Sequence, residues 1–254
     1  MLAAVEKGDA KELAELMRQD PDFNVNMVQP GDVRTLLHHA CSETDSRSAV
    51  IPLLLAHPDI DVNRKNNYGS TPFYWACYFG HTSCIRELLK DSRVMVNEPD
   101  YDGYTPLWRV AASGFLEVIE WWIASGREMD LGKPGDVDKT DAIAGAKKYG
   151  KAEVVTLLER FKENQEETRH VIRVELGLLD ELAAEMFARV VFVSDGLLQI
   201  KDTTPSPAAR FFAIASQLPL ELQMVLCFRR VGSMKEIIPG QESEGSFKEL
   251  ARKL

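Results

Sequence analysis

Thr71-Pro72-Phe73-Tyr74-Trp75-Ala76-Cys77-Tyr78-Phe79-Gly80 reads as a short helix with both of its ends marked. Threonine accepts a hydrogen bond from the first turn. Proline at the first helical position lacks an N–H that would be unpaired there anyway, and glycine supplies a left-handed exit. The same punctuation returns along the chain. Thr105-Pro106-Leu107-Trp108 echoes it, Thr35-Leu36-Leu37-His38-His39-Ala40 does so without the proline, and Asp141-Ala142-Ile143-Ala144 is a degenerate copy. The steps from Thr35 to Thr71, Thr71 to Thr105 and Thr105 to Asp141 are 36, 34 and 36 residues, and Gly80, Gly114 and Gly150 each stand nine residues after a start.

A period of this size marks a unit too small to bury its own apolar face, so neighbouring units must stack into an array. Each link glycine is followed by a second apolar run, as in Cys84-Ile85-Arg86-Glu87-Leu88-Leu89, Val118-Ile119-Glu120-Trp121-Trp122-Ile123 and Val154-Val155-Thr156-Leu157-Leu158. An extended turn then carries Asp61-Val62-Asn63 or Met95-Val96-Asn97. The pattern predicts helix, turn, helix and hairpin, repeated.

These residues resemble the ankyrin repeat, with its TPLHxA helix start, its Gly-His link at Gly80-His81 and its DVN turn. The resemblance covers about residues 1–163. It implies an all-α solenoid of four to five repeats, helix-turn-helix plus hairpin turns; residues 164–254 read separately as a small C-terminal helical bundle. Leu2-Ala3-Ala4-Val5-Glu6-Lys7-Gly8-Asp9 matches the end of a first helix plus the link, so the first repeat is expected to be a truncated cap. The repeat at Thr35 has no link glycine and carries Thr44-Asp45-Ser46-Arg47-Ser48 instead, which predicts a longer inter-helix loop.

In this family the hairpin tips and first helices form a concave surface that binds another protein. The corresponding positions are Asn67, Tyr68 and Ser70 with Tyr78 and Phe79, then Tyr101, Asp102 and Tyr104 with Ala112 and Ser113, then Val137, Asp138 and Thr140 with Lys148 and Tyr149. Five of the six tyrosines fall on this set. Tyrosine is a rigid, amphipathic contact residue enriched at interface hot spots. Glu98, Asp100, Asp102 and Asp136 nearby suggest a partner bearing Arg or Lys. The resemblance turns Trp75, Trp108 and Trp122 into the stack, leaves Trp121 open between core and convex side, gives His38 a hairpin-bracing role, and leaves Asn63 and Asn97 as turn residues.

Composition narrows the class further. Of 254 residues, 45% are hydrophobic and 27% charged, the balance of a folded chain, and a net charge of -9 disfavours a nucleic-acid partner. Four cysteines without CxxC spacing read as reduced, buried thiols, with no metal or cofactor implied. The start of the chain lacks the basic and apolar regions of a signal peptide, and apolar stretches such as 188–194 are too short to span a bilayer. A monomeric cytoplasmic or nuclear protein is expected, with no membrane partner. No catalytic triad can be placed, so no enzyme is expected.

After residue 163 the period stops. Residues 171–200 read as one or two helices with a stripe of Leu178, Leu179, Leu182, Ala183, Met186, Phe187, Val190 and Val191. A linker over 202–207, helices from 208 and from about 219, a break at Pro239-Gly240 and a last helix over 246–254 complete a bundle. This bundle is either a cap for the solenoid or, through Leu218-Pro219-Leu220-Glu221-Leu222, an F-box-like adaptor for ubiquitin ligation. Thr204-Pro205 and Ser206-Pro207 read as linker prolines.

Overall fold

The computed structural model describes residues 1–29, 31–42, 44–131, 140–198 and 207–232, with Ser246 and Leu250 singly. The chain divides into two compact units, Met1–Arg169 and His170–Leu254.

The first unit is an array of helix pairs: α1 (Leu2–Lys7) with α2 (Ala10–Gln19), α3 (Leu36–Ala40) with α4 (Ile51–Leu55), α5 (Pro72–Phe79) with α6 (Thr82–Leu89), α7 (Pro106–Ser113) with α8 (Leu116–Ser125), and α9 (Ala142–Lys148) with α10 (Ala152–Glu163). Between α2 and α3 a two-stranded hairpin, β1 (Val28–Gln29) and β2 (Asp32–Thr35), forms the first finger. The helix starts behave as their sequence predicts. The Thr71 and Thr105 side chains accept from the N–H of Tyr74 and Trp108, and Asp141 does the same for Ala144. Gly80 closes α5 at φ 71, and a Cβ there would stand 2.8 Å from the Phe115 ring, so conformation and space both require glycine.

Successive repeats are stapled by asparagine. Asn63 donates from Nδ2 to the Arg93 carbonyl (2.8 Å) and accepts from the Met95 N–H (2.7 Å). Asn97 holds the Glu128 carbonyl (3.4 Å) and the Asp130 N–H (3.1 Å) in the same way. Asn26 does so for Asp59 and Asp61, at 2.6 and 2.8 Å. Each net bond contributes on the order of 1 kcal/mol. Beneath them Val25, Val62 and Val96 are buried.

The irregular repeat has the longer link that its sequence predicts, a 3₁₀ turn over Asp45–Val50. The link also reaches its neighbour. No side chain of its own repeat caps α6; instead the Asp45 carboxylate accepts from the N–H of Ser83 (3.1 Å) and Cys84 (3.2 Å). Burial alone would raise the Asp45 carboxyl, but these bonds outweigh it and hold it below its ordinary value. A carboxyl depressed in the folded state adds stability above its unfolded value of about 3.9, and that stability is lost as pH falls through the folded value. Asp45→Ala should therefore lose about 1 kcal/mol at pH 6, the usual cost of a lost helix cap. Urea midpoints of variant and parent should converge as pH drops below about 3.9.

In the second unit α12 (Leu179–Ser194), α13 (Pro207–Ala215) and α14 (Leu220–Val231) enclose Ala183, Ala184, Phe187, Val190, Ala215, Cys227 and Phe228. The expected stripe along α12 is the one that packs here. Residues 171–198 form two helices, the end of α11 (Gln165–Glu175) and α12, separated by a turn. Pro219 is the N-cap of α14 and Glu221 lies in its first turn, an ordinary helix start with an acid near the positive end of the helix dipole. The expected linker at 202–207 lies outside the described residues except for Pro207, which opens α13; the break at Pro239-Gly240 lies outside them, as does the helix at 246–254 apart from Ser246 and Leu250. Among the described residues no helix is long and apolar enough to cross a membrane.

Candidate functional site

The third helical position after each repeat start sets up the candidate face. His38, Tyr74 and Trp108 occupy this one slot, are all buried, and each reaches a polar group of the following finger. His38 Nδ1 lies 3.0 Å from the Thr35 hydroxyl, while its Nε2 lies 3.0 Å from the Ser70 carbonyl, the bracing role expected for it. Tyr74 donates its hydroxyl to Asp100 Oδ2. Trp108 Nε1 donates to the Thr140 hydroxyl at 3.1 Å.

The middle member of this series is the centre of a part-buried charge network. Arg109 Nε donates to the Tyr74 hydroxyl (2.7 Å) and its Nη2 to Asp100 Oδ2 (3.3 Å). Burial, then the bond to Asp100, push the Tyr74 phenol well above its ordinary value. Burial acts against the Arg109 cation, yet the bonds to Tyr74 and Asp100 prevail and raise it. Meanwhile the other Asp100 oxygen accepts from the N–H of Asp102 (3.1 Å) and Tyr104 (2.9 Å), shaping the fingertip that carries Tyr101. Asn66 shapes the preceding fingertip identically, through the N–H of Tyr68 and Ser70.

The rings outside this network form a continuous strip. Tyr68 stacks on Trp75 (centroids 6.2 Å apart, planes at 11°), and Trp75 stacks on Tyr78 (5.9 Å, 13°). Phe79 meets the edges of both Trp75 and Tyr78. Arg109 lies 5.7 Å from the Tyr78 centroid and 4.3 Å from that of Tyr104, Tyr104 lies 4.3 Å from Trp108, and Trp108 meets Tyr149 edge-on at 6.2 Å. Three repeats are thereby joined through aromatic and cation–π contact.

Of the residues expected on the concave face, Asn67, Tyr68, Tyr78, Phe79, Tyr101, Asp102, Lys148 and Tyr149 are exposed, as is Ser113. Ser70 and Tyr104 are corrections. Ser70 is buried because its main chain closes the Asn66 turn and receives His38; Tyr104 is 9% exposed because it is sandwiched by Arg109 and Trp108. Ala112 is buried, and Thr140 is half-buried under Trp108. Val137 and Asp138, like Asp136, lie outside the described residues. Trp108 and Trp122 are in the core as expected, whereas Trp75 is half-buried and belongs to the strip. Trp121 is half-buried with the Arg86 guanidinium 3.7 Å above its ring.

Two further points revise the electrostatics. Of the acids expected to attract a basic partner, Asp100 is spent on Arg109 and Glu98 pairs with Lys65 at 3.2 Å, which leaves Asp102 exposed. Arg109 itself was not singled out by the repeat pattern, although it stands where the previous repeat has Trp75, a cation in an aromatic slot. The cysteines Cys41, Cys77, Cys84 and Cys227 are free and buried, and burial pushes Cys84 and Cys227 up to about 12. No cluster of metal-ligating side chains occurs among the described residues.

Comparison with known proteins agrees with the architecture. A family model described as ankyrin repeats in three copies matches residues 1–100 and 37–132. The chain is 37% identical to SMC5-SMC6 complex localization factor protein 1 of Homo sapiens over 84 residues, which are 33% of this chain and 8% of that protein. It is 38% identical over 55 residues to Ankyrin repeat domain-containing protein 49 of Homo sapiens, 22% of this chain and 23% of that one. Alpha-latrotoxin-Lg1a of Latrodectus geometricus is 31% identical over 122 residues, 48% of this chain and 9% of the toxin. Each relative is thus matched over a minor part of its own length. With helix starts, link glycines and asparagine turns in register and the family's repeats matched from residue 1 to 132, the chain belongs to the ankyrin-repeat family.

Proposed function

We propose that this chain is a protein-interaction module that grips a partner through Asn67, Tyr68, Tyr78, Phe79, Tyr101, Asp102, Lys148 and Tyr149. The observation that carries this reading is the strip itself. Tyr68, Tyr78, Tyr101 and Tyr149 are 68, 47, 71 and 50% exposed although large aromatic rings gain from burial; Tyr68, Tyr78 and Tyr149 belong to the strip, and the Tyr101 main chain is bonded to that of Tyr68. Tyr68 and Tyr78 each stack on Trp75, and Tyr149 meets Trp108 edge-on, so these rings have less side-chain entropy to lose when a partner arrives. Ankyrin repeats are protein-binding units, and a relative named for localization of the SMC5-SMC6 complex fits the same kind of task.

The reading is of a scaffold without catalysis, cytoplasmic or nuclear, in keeping with four free thiols. The alternative of an F-box-like adaptor has no support in the family match, which ends at residue 132, and Leu218–Leu222 builds an ordinary helix start. Replacing Tyr68 and Tyr78 together by alanine should reduce capture of a partner from extract of the cells that make the protein by about 30-fold or more, the loss of at least one hot-spot residue. Quantitative mass spectrometry of the captured proteins reads the result, and an unchanged profile from a variant with parental circular dichroism overturns the proposal.

A further inference from the structure

We propose that, within the interface above and resting on that reading, the fingertips at Tyr68 and Tyr101 together with the Asp102 carboxylate form a subsite for an arginine side chain of the partner. Tyr101 and Tyr68 are, at 71 and 68%, the most exposed large apolar side chains among the described residues. They are also held in place. The Tyr101 N–H donates to the Tyr68 carbonyl at 3.0 Å, which ties the two tips together through the main chain. Gly69 lies between them with φ +76, and a Cβ there would stand 2.5 Å from the Tyr101 ring, so that ring lies directly against the neighbouring tip.

Charge decides what these rings would receive. The segment Glu98-Pro99-Asp100-Tyr101-Asp102-Gly103-Tyr104 contains three carboxylates and no basic residue. Asp100 is 8% exposed and neutralised by Arg109, and Glu98 is matched by Lys65, so Asp102, next to Tyr101 in sequence, is the exposed acid of this fingertip. An electron-rich ring face next to an exposed carboxylate favours a cation over an apolar or anionic group. A planar, weakly hydrated guanidinium stacks on a ring while its N–H groups reach a carboxylate, which an ammonium cannot do equally well. The molecule makes this contact internally as well, with Arg109 at 4.3 Å from the Tyr104 centroid and Arg86 at 3.7 Å from that of Trp121.

The experiment pans a phage-displayed library of random dodecapeptides on the full chain and measures synthetic binders by fluorescence polarisation against the parent, Tyr78→Ala, Tyr101→Ala and Asp102→Asn. The expected binders share an arginine whose replacement by glutamine weakens binding to the parent about 5–10-fold, the range of a cation–π contact plus one rim carboxylate. That weakening should shrink to about twofold or less against Tyr101→Ala and against Asp102→Asn, since the cycle isolates the pairwise contact. Binders that depend on Tyr78 yet tolerate loss of every arginine, or accept lysine equally, overturn the arginine subsite and leave the binding face standing. Binders indifferent to Tyr78 and Tyr101 alike, or a failure to enrich any peptide, overturn both.

Discussion

Asp100→Ala should destabilise the repeat array by about 2–4 kcal/mol, somewhat less than the roughly 3–5 of a fully buried pair because the Arg109 side chain is still 25% exposed. One carboxylate serves four donors, the Tyr74 hydroxyl, the Arg109 guanidinium and the N–H groups of Asp102 and Tyr104. Removing it strands a part-buried cation beside a hydroxyl buried with it, and releases the turn that presents Tyr101. Asp100→Asn, which keeps an acceptor for the turn but not the charge, should fall between variant and parent. The double change Asp100→Ala with Arg109→Met should recover part of the loss, because it removes the stranded charge as well. Urea unfolding measures all three, and a double variant no better than Asp100→Ala would show that the turn, not the ion pair, dominates.

Trp122→Ala is expected to be the most damaging single substitution in the array, at about 3–5 kcal/mol for loss of a buried tryptophan. Trp122 is fully buried on α8 and takes the Phe73 ring of α5 edge-on at 5.0 Å, so the cavity left behind spans two repeats. The indole also carries a cost, since its Nε1–H is buried without an acceptor among the described residues. Trp122→Phe removes that N–H while retaining most of the ring volume, and should therefore cost only about 1.5 kcal/mol or less. If thermal unfolding placed the phenylalanine variant near the alanine one, the filled volume would not be what holds the two repeats together.

The array was legible in the sequence because its punctuation is local. A threonine cap, a proline in the first turn and a glycine exit each act within a few residues of themselves, so Thr71 to Gly80 announces α5 without help from the rest of the chain. Contacts across one full period were less so. That His38, Tyr74 and Trp108 share a slot is visible once the repeats are aligned, but that each would find a different polar partner on the next finger depends on what that finger presents. Ser70 and Tyr104 were expected at the surface because their register places them at fingertips, but His38 from the preceding repeat covers the one, and Arg109 on the helix that follows covers the other. Asp45 shows the same limit, since an insertion predicted only as a longer loop supplies the cap of a helix nearly forty residues on. The helices of the second unit were readable from the α12 stripe, whereas Leu218–Leu222 shows how little five residues specify when any helix may begin that way.

The asparagine staples give the array a direction. Asn26, Asn63 and Asn97 each lend both ends of a side-chain amide to the main chain of the following repeat, and none reaches back. A repeat lost from the N-terminal side would bare turn main-chain groups of its neighbour, whereas one lost from the C-terminal side would bare the side-chain amide before it; water can satisfy either, but different groups are exposed. Duplication or deletion during evolution is therefore asymmetric in its consequences, and a new unit inserted after any of these asparagines needs a turn that offers one carbonyl and one N–H at the right spacing before it can be gripped.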